Sequence, residues 1–145
     1  MSPFRSHPDP TAFKNLVWEI VRQVPPGQVT TYGQVGSIIP PPPGMSQRDY
    51  DVFAPRWVGG AMAACPDDVP WQRVINAQGK ISMRSGDGGF HQRQLLEAEE
   101  VVFDDRERIR LADFGWDGPS DDWLQMHGLN KPQALSQPKQ GRLKI

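Results

Sequence analysis

Two stretches decide the fold of this 145-residue chain: Thr31-Tyr32-Gly33-Gln34-Val35-Gly36-Ser37-Ile38-Ile39 and, beyond a proline run, Pro55-Arg56-Trp57-Val58-Gly59-Gly60-Ala61-Met62-Ala63-Ala64-Cys65. In the first, Tyr32, Val35, Ile38 and Ile39 fall on one face of a short helix from about Thr31 to Ile39. In the second, Val58, Ala61, Met62 and Cys65 form the apolar face of a helix expected from Pro55 to about Cys65. Proline suits its first turn, because the N–H there has no helical partner. Gly59 and Gly60 each lower helicity by about 1 kcal/mol. A helix tolerates that where another backbone, of protein or of DNA, must come close. Two consecutive short helices read as a helix-turn-helix with a long turn, which starts in the stiff Pro40-Pro41-Pro42-Pro43-Gly44 and reaches Pro55.

Working outward, Phe13, Leu16, Val17, Ile20, Val21 and Val24 keep the spacing of an amphipathic helix, expected to be capped by Thr11 and stopped by Pro25-Pro26. Lys80 to Arg84 suggests a short strand or hairpin arm, Ser85 to Gly89 a loop, His91 to Glu100 a helix and Val101 to Phe103 an extended piece. Beyond Gly118 the chain is polar, so residues 118–145 are expected to be a weakly structured tail. That leaves a flexible stretch at 1–10 and one domain at 11–117.

Composition narrows the function classes. Sixteen Lys and Arg against seventeen Asp and Glu leave a net charge of −1, so any nucleic-acid contact must come from a local patch. One cysteine, Cys65, rules out an internal disulfide or a thiolate zinc cluster. His7, His91 and His127 lack ligand spacing, so neither a metal nor a cofactor is expected. No apolar run approaches the ~20 residues of a membrane span. The polar start of the chain does not read as a signal peptide, and the cytoplasm is the expected location, at the nucleoid in a bacterium.

Pro70-Trp71-Gln72-Arg73-Val74-Ile75 then places the chain. It resembles the active-site segment of the O6-alkylguanine-DNA alkyltransferases, Pro-Cys-His-Arg and two aliphatics, with Trp71 at the acceptor cysteine and Gln72 at the activating histidine. Pro25 to Val35, Arg56 to Met62, Asn76 to Ser82 and Gln92 to Glu97 resemble further segments of that family in the same order. Ordered motifs over residues 12 to 116 are far more specific than one alone. Tryptophan in place of the cysteine is the mark of the alkyltransferase-like proteins. Indole cannot act as a thiolate, and glutamine has no proton to cycle near pH 7.

The resemblance implies a mainly α fold with a small β element, a winged-helix-like helix-turn-helix domain that binds the DNA minor groove. It implies a catalytically silent monomer that flips O6-alkylguanine out of double-stranded DNA and marks it for nucleotide excision repair. Tyr32 would help rotate the nucleotide. Arg56 would enter the duplex and fill the vacated space, as a planar, permanently charged guanidinium can. Trp71, Val74 and Arg84 would line the alkylguanine pocket with Tyr32, and Arg84 would lie over the purine face. Thr31, Gln34, Trp57, Gly59 and Gly60 are expected at the DNA with Tyr32 and Arg56. Arg73 is expected to serve structure through carbonyl or carboxylate contacts. Two other readings stay open at this point: an alkyltransferase with another nucleophile, and a helix-turn-helix regulator with no lesion preference.

Overall fold

The computed structural model describes residues 7–82, 88–132 and 135. Helix α1 spans Pro10–Arg22. Its cap is Asp9 rather than Thr11: the Asp9 carboxylate accepts from the Ala12 N–H at 3.1 Å, and Pro10 takes the first helical position. Phe13, Val17, Ile20 and Val21 form its buried face. Helix α2 spans Tyr32–Ile38 and is capped by Thr31, whose hydroxyl accepts from the Gln34 N–H at 3.0 Å.

Helix α3 spans Gln47–Ala63 and starts two turns before the expected Pro55. The start signal is Ser46, whose hydroxyl accepts from the Asp49 N–H at 3.0 Å. Pro55 therefore lies inside the helix. It removes one backbone donor, and the carbonyl it would have bonded belongs to Asp51, an exposed residue open to water. The added turns are anchored. Tyr50 is fully buried and its hydroxyl donates to the Gly36 carbonyl at 2.8 Å. Where α2 and α3 cross, a Cβ on Gly36 would lie 3.0 Å from that of Ala54. The close backbone approach is thus at Gly36.

Strands β1 (Thr30–Thr31) and β2 (Val74–Ile75) pair in parallel, Thr30 with Val74 and Thr31 with Ile75. A single 3-10 turn, Trp71–Arg73, leads into β2. Residues 80–82 of the expected hairpin arm are not in a strand. The Asn76 side chain accepts from the Gln78 and Lys80 N–H groups and closes a tight turn instead. Gly79 sits there at φ 82° and packs against the Ile109 carbonyl. Helix α4 follows at Gly88–Ala98, α5 at Leu111–Phe114 and α6 at Asp121–His127.

Two apolar clusters flank the strand pair. The larger joins α1, α2 and α3 and includes Val74; the smaller contains Val29, Ile75, Leu96, Val101 and Ile109. Successive strand residues face opposite sides, which sends Val74 into one cluster and Ile75 into the other. The expected tail begins as structure. Leu124 of α6 is buried in the larger cluster, and the Asn130 N–H donates to the Ile38 carbonyl at 2.9 Å. Nor is all of 1–10 free: the His7 ring stacks on Phe13 at 4.7 Å and meets the Trp57 edge at 5.4 Å.

Candidate nucleic-acid interface

Helical geometry sorts the residues of α3. Tyr50, Ala54, Trp57, Val58 and Ala61 turn inward. Trp57, expected at the DNA, is only 8 % exposed and is ringed by His7, Phe13, Tyr50 and Phe53. It is a core residue, because one step of about 100° carries it off the face that holds Arg56. Arg56 itself is exposed and makes no ion pair with the described residues. Gly60 is exposed and Gly59 half-buried, and a Cβ at either would meet nothing within 4 Å. Among the described residues, no backbone occupies the space these glycines leave.

Gln34 and Thr31 are committed inside the fold. Gln34 is 2 % exposed; its amide donates to the Trp116 carbonyl at 2.8 Å and accepts from the Thr30 hydroxyl at 2.5 Å. Thr31 is buried as the α2 cap. Gln34 is thus spent on the seam between β1 and the 115–116 segment and Thr31 on the start of α2, and both side chains lie inside the fold. Val74 is buried behind the Trp71 turn, so its side chain packs inward. Tyr32, at the start of α2, is half-buried, and its hydroxyl shares a 2.8 Å hydrogen bond with Ser82. Each hydroxyl keeps free acceptor capacity for a further partner. Arg84 lies outside the described residues.

The Trp71–Arg73 turn is held from two sides. Trp71 is half-buried, with the exposed His91 ring of α4 centred 6.0 Å from its own at a 38° tilt. The buried Gln92 amide donates to the Gln72 and Val74 carbonyls at 3.0 and 3.1 Å. Arg73 clasps Glu99 through Nε and Nη2, the shortest contact being 2.7 Å, and Nη1 donates to the Val24 carbonyl at 2.9 Å. Arg73 thus makes both the carbonyl and the carboxylate contacts expected of it. The Gln72 amide donates to the same Glu99 carboxylate at 2.9 Å, and the Gly27 N–H does so at 3.2 Å. Burial pushes the Glu99 carboxyl up, but hydrogen bonds from Arg73, Gln72 and Gly27, with the Arg73 charge, outweigh it and hold it below its ordinary range.

Glu99, Gln92 and His91 stand at the site without being among the site residues the sequence points to. The available signal was Arg73 itself, a half-buried cation that needed a carboxylate. Cys65 is half-buried, and burial, with the Asp67 and Asp68 charges, pushes its thiol up, away from the thiolate an alkyl acceptor needs. Among the described residues no three His, Cys, Asp or Glu side chains gather as a metal site, and no helix is long and apolar enough to cross a membrane.

The model of the 6-O-methylguanine DNA methyltransferase DNA-binding domain matches residues 12–101. The chain belongs to this family. It is 36% identical over 107 residues to the DNA base-flipping protein of Escherichia coli, covering 72% of this chain and 74% of that one. It is 37% identical over 92 residues to Alkyltransferase-like protein 1 of Schizosaccharomyces pombe, covering 61% and 76%. The crystal structure of S. pombe Atl1 in complex with damaged DNA containing O6-carboxymethylguanine matches with a TM-score of 0.55 at 30% identity, over 73% of this chain and 95% of that one. The fold is therefore the mainly helical DNA-binding domain of the alkyltransferase family. Its relatives thus include proteins named for base flipping and for likeness to the alkyltransferases, and also, at 30% identity over 103 residues, a methylated-DNA–protein-cysteine methyltransferase of Haemophilus influenzae.

Proposed function

We propose that this protein recognises O6-alkylguanine in double-stranded DNA by flipping the modified nucleotide, and holds it without repair. The observation that carries the reading is the Trp71–Gln72 pair in an otherwise complete frame. The carboxylate behind the site, Glu99, is bound by Arg73 and Gln72, and positions 71 and 72 themselves supply an indole and an amide in place of a thiol and an imidazole. Such a site can bind a base but cannot take its alkyl group. Arg56, Gly59 and Gly60 present the side of α3 that meets the duplex, Tyr32 acts on the rotating nucleotide, and Trp71 walls the base pocket. Arg84 would lie against the purine, a role that rests on the family resemblance. A complex that never reacts persists until other proteins displace it, which suits a hand-over to nucleotide excision repair by a protein acting as a monomer.

Titration against two duplexes of one sequence, one carrying O6-methylguanine, tests the reading. Tighter binding to the lesion is expected, without label from the methyl group appearing on the protein. Stoichiometric label on Cys65 or elsewhere would make the protein an alkyltransferase. Equal affinity for both duplexes would make it a regulator without lesion preference. Arg84→Ala should shrink the affinity ratio between the duplexes, whereas loss of phosphate contacts should not. Trp71→Cys should transfer no alkyl group at the rate reached by Trp71→Cys combined with Gln72→His. Equal rates would show that the missing base does not silence the site.

A further inference from the structure

The proline run and the turns it introduces have no part in the site above. Pro40 to Gly44 lead into Ser46, and the chain then adds two turns of helix, Gln47 to Ala54, before Arg56. These turns are held firmly on their inner side by Met45, Tyr50 and Ala54, all buried. Their outer side is unlike the rest of the surface. Val52 is 70 % exposed and lies between Arg48 and Arg56 at successive i, i+4 positions. Arg22, Arg73, Arg93, Arg108 and Arg110 are each paired with a carboxylate, whereas Arg48 and Arg56 make no ion pair with the described residues; Arg106 is the other such arginine.

We infer that the inserted turns of α3 form a second DNA contact, in which Arg48 takes a backbone phosphate beside the duplex site of Arg56 and Val52 packs on the sugars between. The inference rests on the proposal that α3 docks on DNA. Arg48 and Arg56 are about 12 Å apart along the helix axis and differ by ~80° around it. About 12 Å matches three to four steps of the duplex axis, along which one strand advances ~3.4 Å per phosphate, so one helix can reach two points on one backbone. The side-chain types suit backbone contact: a guanidinium for phosphate and an aliphatic surface for deoxyribose. Two carboxylates stand nearby. Asp51 accepts from the Gln47 amide at 2.8 Å, on the flank away from Arg56. Asp49 lies in the first turn on the outer side, where it opposes a phosphate and limits the contact to the Arg48 edge.

The test is the salt dependence of binding to plain and O6-methylguanine duplexes of one sequence, for the parent, Arg48→Ala and Asp49→Asn. Arg48→Ala should weaken both complexes several-fold by the same factor. It should reduce the slope of log affinity against log salt by about 0.9, the amount of one phosphate, and leave the lesion preference unchanged. Asp49→Asn should strengthen both complexes. Parent-like affinity and slope in Arg48→Ala would overturn the inference and leave the proposed function standing, and a selective loss on lesion DNA would overturn it too. A parent that binds neither duplex would remove the reading beneath it as well.

Discussion

Arg73 and Arg56 carry the same guanidinium, and the protein treats them in opposite ways. Arg73 spends its donors on Glu99 and the Val24 carbonyl, inside a knot that also ties down Gln72 and Gly27. Arg56 stands exposed on α3 and makes no ion pair with the described residues, beside two glycines whose Cβ positions meet nothing among those residues. An arginine bound by the fold is part of what maintains the shape of a site. An arginine left unpaired on a rigid helix, with the backbone bared beside it, is available to a partner. The first region should therefore respond to mutation through stability and the second through binding.

The largest effect should come from cutting the knot. Glu99→Ala leaves Arg73, whose side chain is 15% exposed, without its counter-charge, and should cost about 3 kcal/mol in a urea melt at pH 7. The pH dependence has a definite sign. The Glu99 carboxyl is held below its ordinary value of 4.5 in the folded protein, so its stabilisation is complete above that value and is lost as pH falls through the lower folded one. Glu99→Gln should lack this acid-sensitive component. A Glu99→Ala protein as stable as the parent would mean that the knot is ornamental and the contrast with Arg56 empty.

Arg56→Ala should reverse the pattern. We expect a loss of about 2 kcal/mol in affinity for lesion DNA and an unchanged melting temperature. A clear fall in stability would show that Arg56 serves the fold as Arg73 does.

Gly60→Ala has the smallest effect and the sharpest sign. The methyl group meets no protein atom within 4 Å and the residue is helical, so stability should rise by up to about 1 kcal/mol. Binding should weaken if a DNA backbone approaches there. A gain in stability with undiminished affinity would move the interface off this part of α3.

Legibility followed the range of the interactions. The helices α1, α2 and α4 were readable because apolar spacing and local caps are properties of a few neighbouring residues. The start of α3 was misread because Pro55 is a strong local signal for a first turn, while Ser46 gains its meaning only once Tyr50 and Ala54 have a surface to pack on. Residues 118 onward looked like a tail because their composition is polar. Leu124, with Trp123 and Leu129 packed beside it and a backbone hydrogen bond from Asn130 to Ile38, docks α6 and the residues after it on a core that is already present. Gln34, Thr31 and Trp57 were placed at the DNA by their neighbours in a motif, yet a motif is linear and cannot say which side of a helix faces out.

The chemistry this protein lacks is written in two residues. The residue at position 71 is tryptophan and that at 72 is glutamine, and no fold turns either into a nucleophile or a base. The family too is written in the sequence, because ordered short motifs survive as a linear pattern. Which polar groups are spent and which are left over depends on contacts between distant parts of the chain. Gly27 and the adjacent Gln72 and Arg73 converge on Glu99 from two distant parts of the chain, and burial makes their pairing obligatory. The open positions of Arg48, Arg56, Gly59 and Gly60 could likewise be known only after every neighbouring side chain had found its place.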